Sequence, residues 1–243
     1  MRKVGLVFLA AGLAAAAAWG AFGDILQSFP APNSYPLALA YENGYLWVYC
    51  NTSPYNFYRV NPSNGSVVAS FVSPGGSVGR GAAWDGTYLY TGNSTTDYIF
   101  RMSTTGSVYG SFGVSNFYGG LTWDHTYLWY TGTSPNYFYR MTTAGSVNSS
   151  FSATFYPFDP GSDGTYIYCG TYTPSQQIYK LTTTGSIVES HAPPANYPWG
   201  CTHDGSDLWF GTTTGTNYIW RVDDGVLSNI APASLGRVKA LFK

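Results

Sequence analysis

A few unlike residues occupy equivalent places in a repeated sequence, and their side chains are those best suited to hold a ligand. Five places before the acidic turn residue of each repeat stand Leu37, Arg80, Gly119, Phe158 and Trp199. Asp159 follows Phe158, where the other repeats have Ala or Gly. A guanidinium, a carboxylate and large aromatic rings combine apolar walls with a few polar groups, which is typical of small-molecule pockets.

We therefore expect a small polar or sugar-like ligand to stack on Trp199 and Phe158. Arg80 and Asp159 would hydrogen-bond it, with Tyr118 and Tyr197 nearby. The alternative is that Arg80 and Asp159 satisfy each other or nearby backbone while the aromatic rings only fill space.

Most other charged residues recur at fixed repeat positions, which favours a structural role. The acidic members precede or enter a turn, and the basic members share one later position: Asp85, Asp124, Asp163 and Asp204; Arg59, Arg101, Arg140, Lys180 and Arg221. We expect the carboxylates to accept backbone N–H bonds in their own turns. No catalytic residue is assigned among them.

Motifs for established chemistries are missing from the sequence. It has no phosphate loop and no haem attachment motif. None of the three histidines has a paired ligand spacing. We predict no metal site and no cofactor.

The elements that carry these residues form five copies of a repeat of about 40 residues. The first turns align Gly44, Gly86, His125, Gly164 and Gly205, with spacings of 42, 39, 39 and 41 residues. Each copy contains four short aromatic or β-branched runs separated by turn residues, which is typical of antiparallel strands. The pattern predicts an all-β fold, a five-bladed β-propeller of four-stranded antiparallel blades.

An extra segment at residues 25–29 matches the fourth strand of the other repeats. It predicts an N-terminal outer strand that completes the last blade and closes the ring. A weak further copy at residues 226–230 leaves six blades as the alternative. The propeller domain is predicted at 24–230, followed by a C-terminal tail at 231–243.

The chain begins with features of an export signal. Arg2 and Lys3 precede an apolar run, and small residues follow near Ala21. We predict a signal peptide at 1–23 and a secreted or periplasmic protein. If the C-terminal tail is a sorting signal, the protein would be attached to the cell surface. Without Arg2 and Lys3 nine basic residues face twelve acidic ones, a net charge of −3, which disfavours nucleic acid as a partner. No membrane span is predicted after removal of the signal.

The three cysteines leave two interpretations open. Cys169 and Cys201 lie at similar heights in neighbouring repeats and are candidates for a disulfide in an exported chain. Three buried reduced thiols, with Cys50 as the third, are the alternative.

The blade sequence Gly-Leu-Thr-Trp-Asp, Tyr-Leu-Trp-Tyr-Thr-Gly and Tyr-Arg-Met-Thr-Thr resembles bacterial secreted propellers of the YncE-like and glutamine cyclotransferase-like groups. The resemblance covers roughly residues 24–230 and implies the fold. Cyclotransferase activity would need an acidic catalytic residue. The two glutamates, Glu42 and Glu189, fall at a short turn and on an outer strand, so we do not carry that activity over.

We therefore predict a non-enzymatic binding or surface-assembly module with its ligand site at the channel mouth, where the inner strands begin. The partner would be a small polar, glycan or protein ligand. The alternatives are a glutamine cyclotransferase-like or lyase-type enzyme and a multivalent glycan-binding module with one site per blade.

Overall fold

The computed structural model describes residues 21–171, 175–213 and 217–225. These residues form five four-stranded antiparallel sheets around a common axis. The only helix among them is the short 3-10 turn Gly76–Val78, which connects the first two sheets. The prediction of a five-bladed all-β propeller is confirmed. Residues 226–230, on which the six-bladed alternative rests, lie outside the described residues.

In blades 1 to 4 the strands run outward from the axis in chain order. Blade 1 contains β2 (Pro36–Glu42), β3 (Tyr45–Cys50), β4 (Asn56–Val60) and β5 (Val67–Val72). Blade 2 contains β6 (Gly79–Trp84), β7 (Leu89–Asn93), β8 (Tyr98–Met102) and β9 (Val108–Gly113). Blade 3 contains β10 (Leu121–Trp123), β11 (Leu128–Thr133), β12 (Asn136–Met141) and β13 (Val147–Ser152). Blade 4 contains β14 (Pro160–Ser162), β15 (Tyr166–Thr171), β16 (Gln177–Thr182) and β17 (Ile187–His191).

The last blade joins the two ends of the described chain. It contains β18 (Pro198–His203), β19 (Leu208–Thr212), β20 (Tyr218–Val222) and, as its outer strand, β1 (Ile25–Pro30). β1 pairs antiparallel with β20, and Phe29 stands opposite Ile219. The N-terminal strand therefore closes the ring by hydrogen bonding, as the extra sequence copy predicts.

The hydrophobic core lies in the seams between blades. Strands β3 and β11 are buried along almost their whole length because neighbouring blades cover both of their faces. Between blades 1 and 2, for example, Trp47 and Phe57 pack with Leu89 and Met102. Each blade is thus one layer of a closed stack, and burial depends on having a neighbour on each side.

In four of the five seams a phenylalanine of the outer strand packs on a turn glycine of the next blade. A Cβ added to Gly106 would lie 2.7 Å from the Phe71 ring, and one added to Gly145 would lie 2.6 Å from the Phe112 ring. Both glycines have positive φ, 86° and 89°, a conformation that L residues avoid. The repeated glycine therefore serves both the turn and the seam.

The last seam uses residues from the extreme N-terminal side of the described chain. His191 replaces the outer-strand phenylalanine in blade 4, and a Cβ on Gly23 would lie 2.2 Å from its ring. Phe22 is 4% exposed and its ring centroid is 6.2 Å from that of Tyr168. The sequence interpretation placed residues 1–23 in a signal peptide, whereas Phe22 and Gly23 pack as part of the folded unit. Residues 1–20 lie outside the described residues.

We expect Phe22→Ala to lower the free energy of unfolding by about 3 kcal/mol, because it empties a buried aromatic site. A chain that starts at Asp24 should lose a similar amount relative to one that starts at Ala21. Urea unfolding followed by tryptophan fluorescence measures both. Leu26→Ala, at a side chain 47% exposed, is the control and should change stability by less than about 0.5 kcal/mol. Equal stability of the two truncated chains would show that the fold does not need Phe22.

None of the described residues belongs to a helix long and apolar enough to cross a membrane.

Candidate functional site

One carboxylate on the axis links all five blades. Asp159 immediately precedes β14 and is fully buried. Its Oδ1 accepts the Leu121 N–H at 2.8 Å, and its Oδ2 accepts the N–H groups of Leu39 at 3.1 Å and Cys201 at 3.3 Å. Ala82 donates a further backbone hydrogen bond. These four donors are equivalent residues of the inner strands of blades 3, 1, 5 and 2, so Asp159 ties the other four blades to blade 4.

The other blades leave room for this side chain. Ala38, Gly81, Gly120 and Gly200 stand where blade 4 has Asp159, and a Cβ on Gly120 would lie 2.0 Å from Asp159 Oδ1. Burial raises the pKa of Asp159 well above its usual value, and the backbone donors oppose that shift. Because both oxygens accept bonds from the protein and neither reaches solvent, we assign Asp159 a structural role.

Four side chains lie together at one end of the axis, at or next to the repeat position that precedes Asp159 in sequence. Phe158 is fully buried and stacks on Trp199 with ring centroids 3.8 Å apart and planes 17° apart. The Arg80 guanidinium carbon lies 5.1 Å from the Trp199 ring centroid and 4.9 Å from that of Tyr118. We call Arg80, Tyr118, Phe158 and Trp199 the mouth cluster.

The structure brings together most of the predicted ligand residues, but in unequal environments. Arg80, Tyr118, Tyr197 and Trp199 are half-buried, whereas Phe158 and Asp159 have no exposed surface. Asp159 bonds the backbone rather than Arg80, and Phe158 stacks on Trp199. Ligand binding at this end stays a prediction, and in this structure it would involve the four half-buried side chains.

A cavity of about 540 Å³ opens at the opposite end of the axis, among the short turns that end the inner strands. All five residues that immediately precede the acidic turn residues line it, and we call it the short-turn cavity: Tyr41, Trp84, Trp123, Ser162 and His203. Thr122, Thr202 and the exposed His125 add polar groups. Ala82 also lines it, so its inner end lies next to the amides that hold Asp159.

The sequence interpretation missed this cavity because it treated the short-turn face as scaffolding. A signal was present, since the position before the acidic turn residue carries Tyr, Trp, Trp, Ser and His in the five repeats. That position varies as much as the one occupied by Arg80. The Asp that follows it recurs from repeat to repeat, so the repeat pattern stands out more than the variation beside it.

The repeated acidic residues are structural, as predicted. Asp124 Oδ1 accepts the N–H groups of Thr126 and Tyr127 at 2.9 and 2.6 Å, and its Oδ2 accepts Trp129 Nε1 at 2.7 Å. Equivalent bonds occur at Asp85, Asp163 and Asp204. The carboxylates at the cavity rim are therefore already engaged by their own turns.

One group of potential metal ligands lies beside the cavity. Donor atoms of Asp163, His203 and Asp224 all fall within 4.8 Å of one another. The Gly205 N–H donates to His203 Nδ1 at 3.0 Å, so Nε2 carries the proton and donates to Asp224 Oδ2 at 2.9 Å. Tyr168 OH donates to Asp163 Oδ2 at 3.0 Å. Hydrogen bonds within the protein satisfy the group, and a cation would have to displace the Nε2 proton.

The three cysteines are free and buried. The predicted Cys169–Cys201 disulfide is not formed, and the alternative of three buried thiols describes the structure. Burial raises the pKa of Cys50 to about 12, with the Asn33 carbonyl opposing the shift. Burial also raises the pKa of Cys201 and of Cys169. Raised pKa values leave little thiolate for reaction near neutral pH.

We expect the folded protein to resist thiol reagents at pH 8, with reaction slower than for an exposed cysteine by about three orders of magnitude, since both access and thiolate are lacking. In denaturant without reductant, an Ellman assay should count three thiols per chain. A count of one would show that two cysteines are bridged, and mass spectrometry of the digest would identify the pair.

The comparisons with known proteins concern the fold. Neither a family model nor a curated protein matches the sequence. The structure is similar to glutaminyl cyclase from Myxococcus xanthus, with a TM-score of 0.70, 14% identity and coverage of 85% of this chain and 97% of that chain. It is also similar to a catalytically inactive virginiamycin B lyase from Staphylococcus aureus with quinupristin, with a TM-score of 0.50, 19% identity and coverage of 80% and 68%. The chain shares the β-propeller fold of these proteins. At such identities the likeness extends to the fold alone.

Proposed function

We propose that this chain is a secreted, non-enzymatic binding module that takes a small polar ligand with an apolar face, such as a sugar, in the short-turn cavity. One observation carries the proposal: the five residues that differ most from blade to blade at the ends of the inner strands all line one cavity of about 540 Å³. That volume falls within the usual range for ligand pockets.

The chemistry of the wall suits such a ligand. The rings of Tyr41, Trp84 and Trp123 are half-buried and supply flat apolar surface. Thr122 and Thr202 add hydroxyl groups that can donate or accept hydrogen bonds, whereas the Ser162 hydroxyl already donates to the Tyr166 carbonyl and accepts the Gly164 N–H. Rigid aromatic surface with a few hydrogen-bonding groups is the usual composition of a small-molecule site.

The geometry favours one central site over one site per blade. Residues of all five blades line the short-turn cavity, so a ligand there would contact the ring as a whole. A multivalent glycan-binding module would instead need an equivalent site on every blade. The residues that line this cavity are unlike one another, which fits a single asymmetric ligand.

An enzymatic role has less support from the same residues. Asp85 and Asp204 each accept two backbone N–H groups of their own turn. Asp85 also accepts the Tyr90 hydroxyl, and Asp204 accepts Trp209 Nε1. A general acid or base needs a group that can exchange its proton with the substrate. The names of the similar structures include a cyclase and a lyase, and turnover is therefore one outcome that the test must report.

The test is a calorimetric titration of the wild type with a library of mono- and oligosaccharides. For any sugar that binds, Trp84→Ala and Trp123→Ala should each weaken affinity by about tenfold, the usual worth of an aromatic contact. Tyr109→Ala, at an outer-strand side chain 62% exposed, is the matched control and should leave affinity unchanged.

Two results would contradict the proposal: no sugar in the library binds, or both tryptophan variants bind as tightly as the wild type. Product formation during a long incubation, detected by mass spectrometry, would show that the protein is an enzyme and not a binding module. Export is tested separately, by N-terminal sequencing of the protein recovered outside the cytoplasm.

A further inference from the structure

The Arg80 guanidinium has no hydrogen-bond acceptor among residues 21–171, 175–213 and 217–225. Its Nη1 is enclosed by protein and unpaired, and its side-chain contacts are the rings of Tyr118 and Trp199. A guanidinium has five N–H donors and no way to lose its charge near neutral pH. Leaving a buried donor unsatisfied costs about 1–3 kcal/mol, and the Nε and Nη2 donors, which are not enclosed, stay open to an incoming acceptor.

Several other basic residues of the same chain are paired. Arg59 Nε donates to Glu42 at 2.8 Å, and Arg221 Nη2 lies 2.6 Å from Asp207 Oδ2. Lys180 Nζ donates to the Asp224 carbonyl at 3.0 Å. Arg80 differs because it stands on an inner strand, at a position where the other blades have Leu37, Gly119, Phe158 and Trp199.

The surrounding rings hold Arg80 in place and leave its edge for recognition. Trp199 is fixed by its stack on Phe158 at 3.8 Å, and Tyr118 is held edge-on by Tyr156 at a centroid distance of 6.0 Å. Neither ring contact uses the N–H donors of the guanidinium, which lie in its plane. Those donors match the two oxygens of a planar carboxylate.

No carboxylate among the described residues pairs with the Arg80 guanidinium. Asp159 lies one residue below the mouth cluster, but its oxygens bond inner-strand amides. Asp97 accepts the Phe117 N–H at 2.9 Å with its Oδ1 and makes no ion pair with Arg80. The cation at this end therefore has no partner in the described part of the chain.

We propose that the mouth cluster is a carboxylate-binding site, in which Arg80 bonds both carboxylate oxygens while Tyr118 and Trp199 contact the adjoining apolar part of the ligand. This site is at the opposite end of the axis from the short-turn cavity and does not depend on ligand binding there. Of the ligand residues predicted from the sequence, the proposed site uses Arg80, Tyr118 and Trp199 and leaves out the buried Asp159 and Phe158.

The test is an NMR titration of 15N-labelled protein with 3-phenylpropionate, with 3-phenylpropionamide as the neutral match. We expect the carboxylate to shift the Arg80 Nε–H resonance and to bind at least tenfold more tightly than the amide. Arg80→Gln should weaken carboxylate binding by at least tenfold. Arg80→Lys should also weaken it several-fold, because the charge remains while the planar fork is lost.

Arg140→Gln is the matched control. Arg140 also lies over a ring, 3.7 Å from the Tyr127 centroid, and its Nε is also buried and unpaired, but it stands on β12, away from the channel. Its loss should leave binding unchanged. Equal binding of acid and amide, an unchanged affinity in Arg80→Gln, or inorganic phosphate binding as tightly as the carboxylate would each overturn the proposal. If Arg80→Gln does not fold, the affinity of Arg80→Lys and the shift of the Arg80 Nε–H resonance in the wild type test the proposal instead.

Discussion

Asp159→Ala should lower the free energy of unfolding by about 5 kcal/mol, the largest effect that we expect from a single substitution. It leaves the buried N–H groups of Leu39, Leu121 and Cys201 without their acceptor, and each unsatisfied donor costs about 1–3 kcal/mol. For a domain of this size the melting temperature should fall by about 10–15 °C. Differential scanning calorimetry measures the change.

Asp159→Asn separates the hydrogen bonds from the volume of the side chain. The amide keeps one acceptor oxygen but turns an NH₂ group toward backbone donors, so we expect a loss of about 3 kcal/mol. Asp24→Asn, at an exposed carboxylate that accepts only the Ala21 N–H, should stay within about 0.5 kcal/mol of the wild type. An Asp159→Ala protein that melts with the wild type would show that the axial bonds do not hold the ring.

Deleting residues 24–30 should have the second large effect, because it removes β1 and leaves β20 with an open edge. The buried Phe29, 5% exposed, and its contact with Trp209 at a centroid distance of 5.9 Å would be lost as well. We expect a loss of more than about 4 kcal/mol and concentration-dependent aggregation through the free edge. Urea unfolding and light scattering measure the two effects.

A circular rearrangement provides the control for this deletion. Asp223 N donates to the Asp24 carbonyl at 2.9 Å, so the start of β1 lies beside the end of β20. A chain in which residues 24–30 follow Gly225 through a short linker should therefore recover most of the stability. Failure of this rearranged chain to fold, or full stability of the deletion, would contradict closure by β1.

The architecture could be predicted from the sequence because the same pattern of strands and turns recurs in all five repeats. Turn glycines such as Gly106 and Gly145 recur at the repeat spacing, and the structure shows that turn and seam both require them. The N-terminal strand was recognisable since residues 25–29 copy the other outer strands. Repetition turns five weak local patterns into one strong prediction.

The site was harder to predict because position in a repeat does not determine solvent exposure. The register places Arg80, Phe158 and Trp199 at one repeat position and Asp159 at the next, yet it could not show that Asp159 accepts hydrogen bonds from four backbone amides across the axis. Those amides are in every sequence and carry no signature. The small residues Gly81, Gly120 and Gly200 were visible, and they are explained once the carboxylate is seen to fill the space that they leave.

The position of Asp159 also bears on how many copies the ring can contain. Near-identical units make the gain or loss of one unit an easy change in a gene, since the same phenylalanine and glycine contact recurs in four of the five blade-to-blade seams. A carboxylate on the axis can reach the opposite strands only while the bore stays narrow, and a sixth copy would widen it. We therefore expect this one acidic side chain to favour a ring of five units over a wider one.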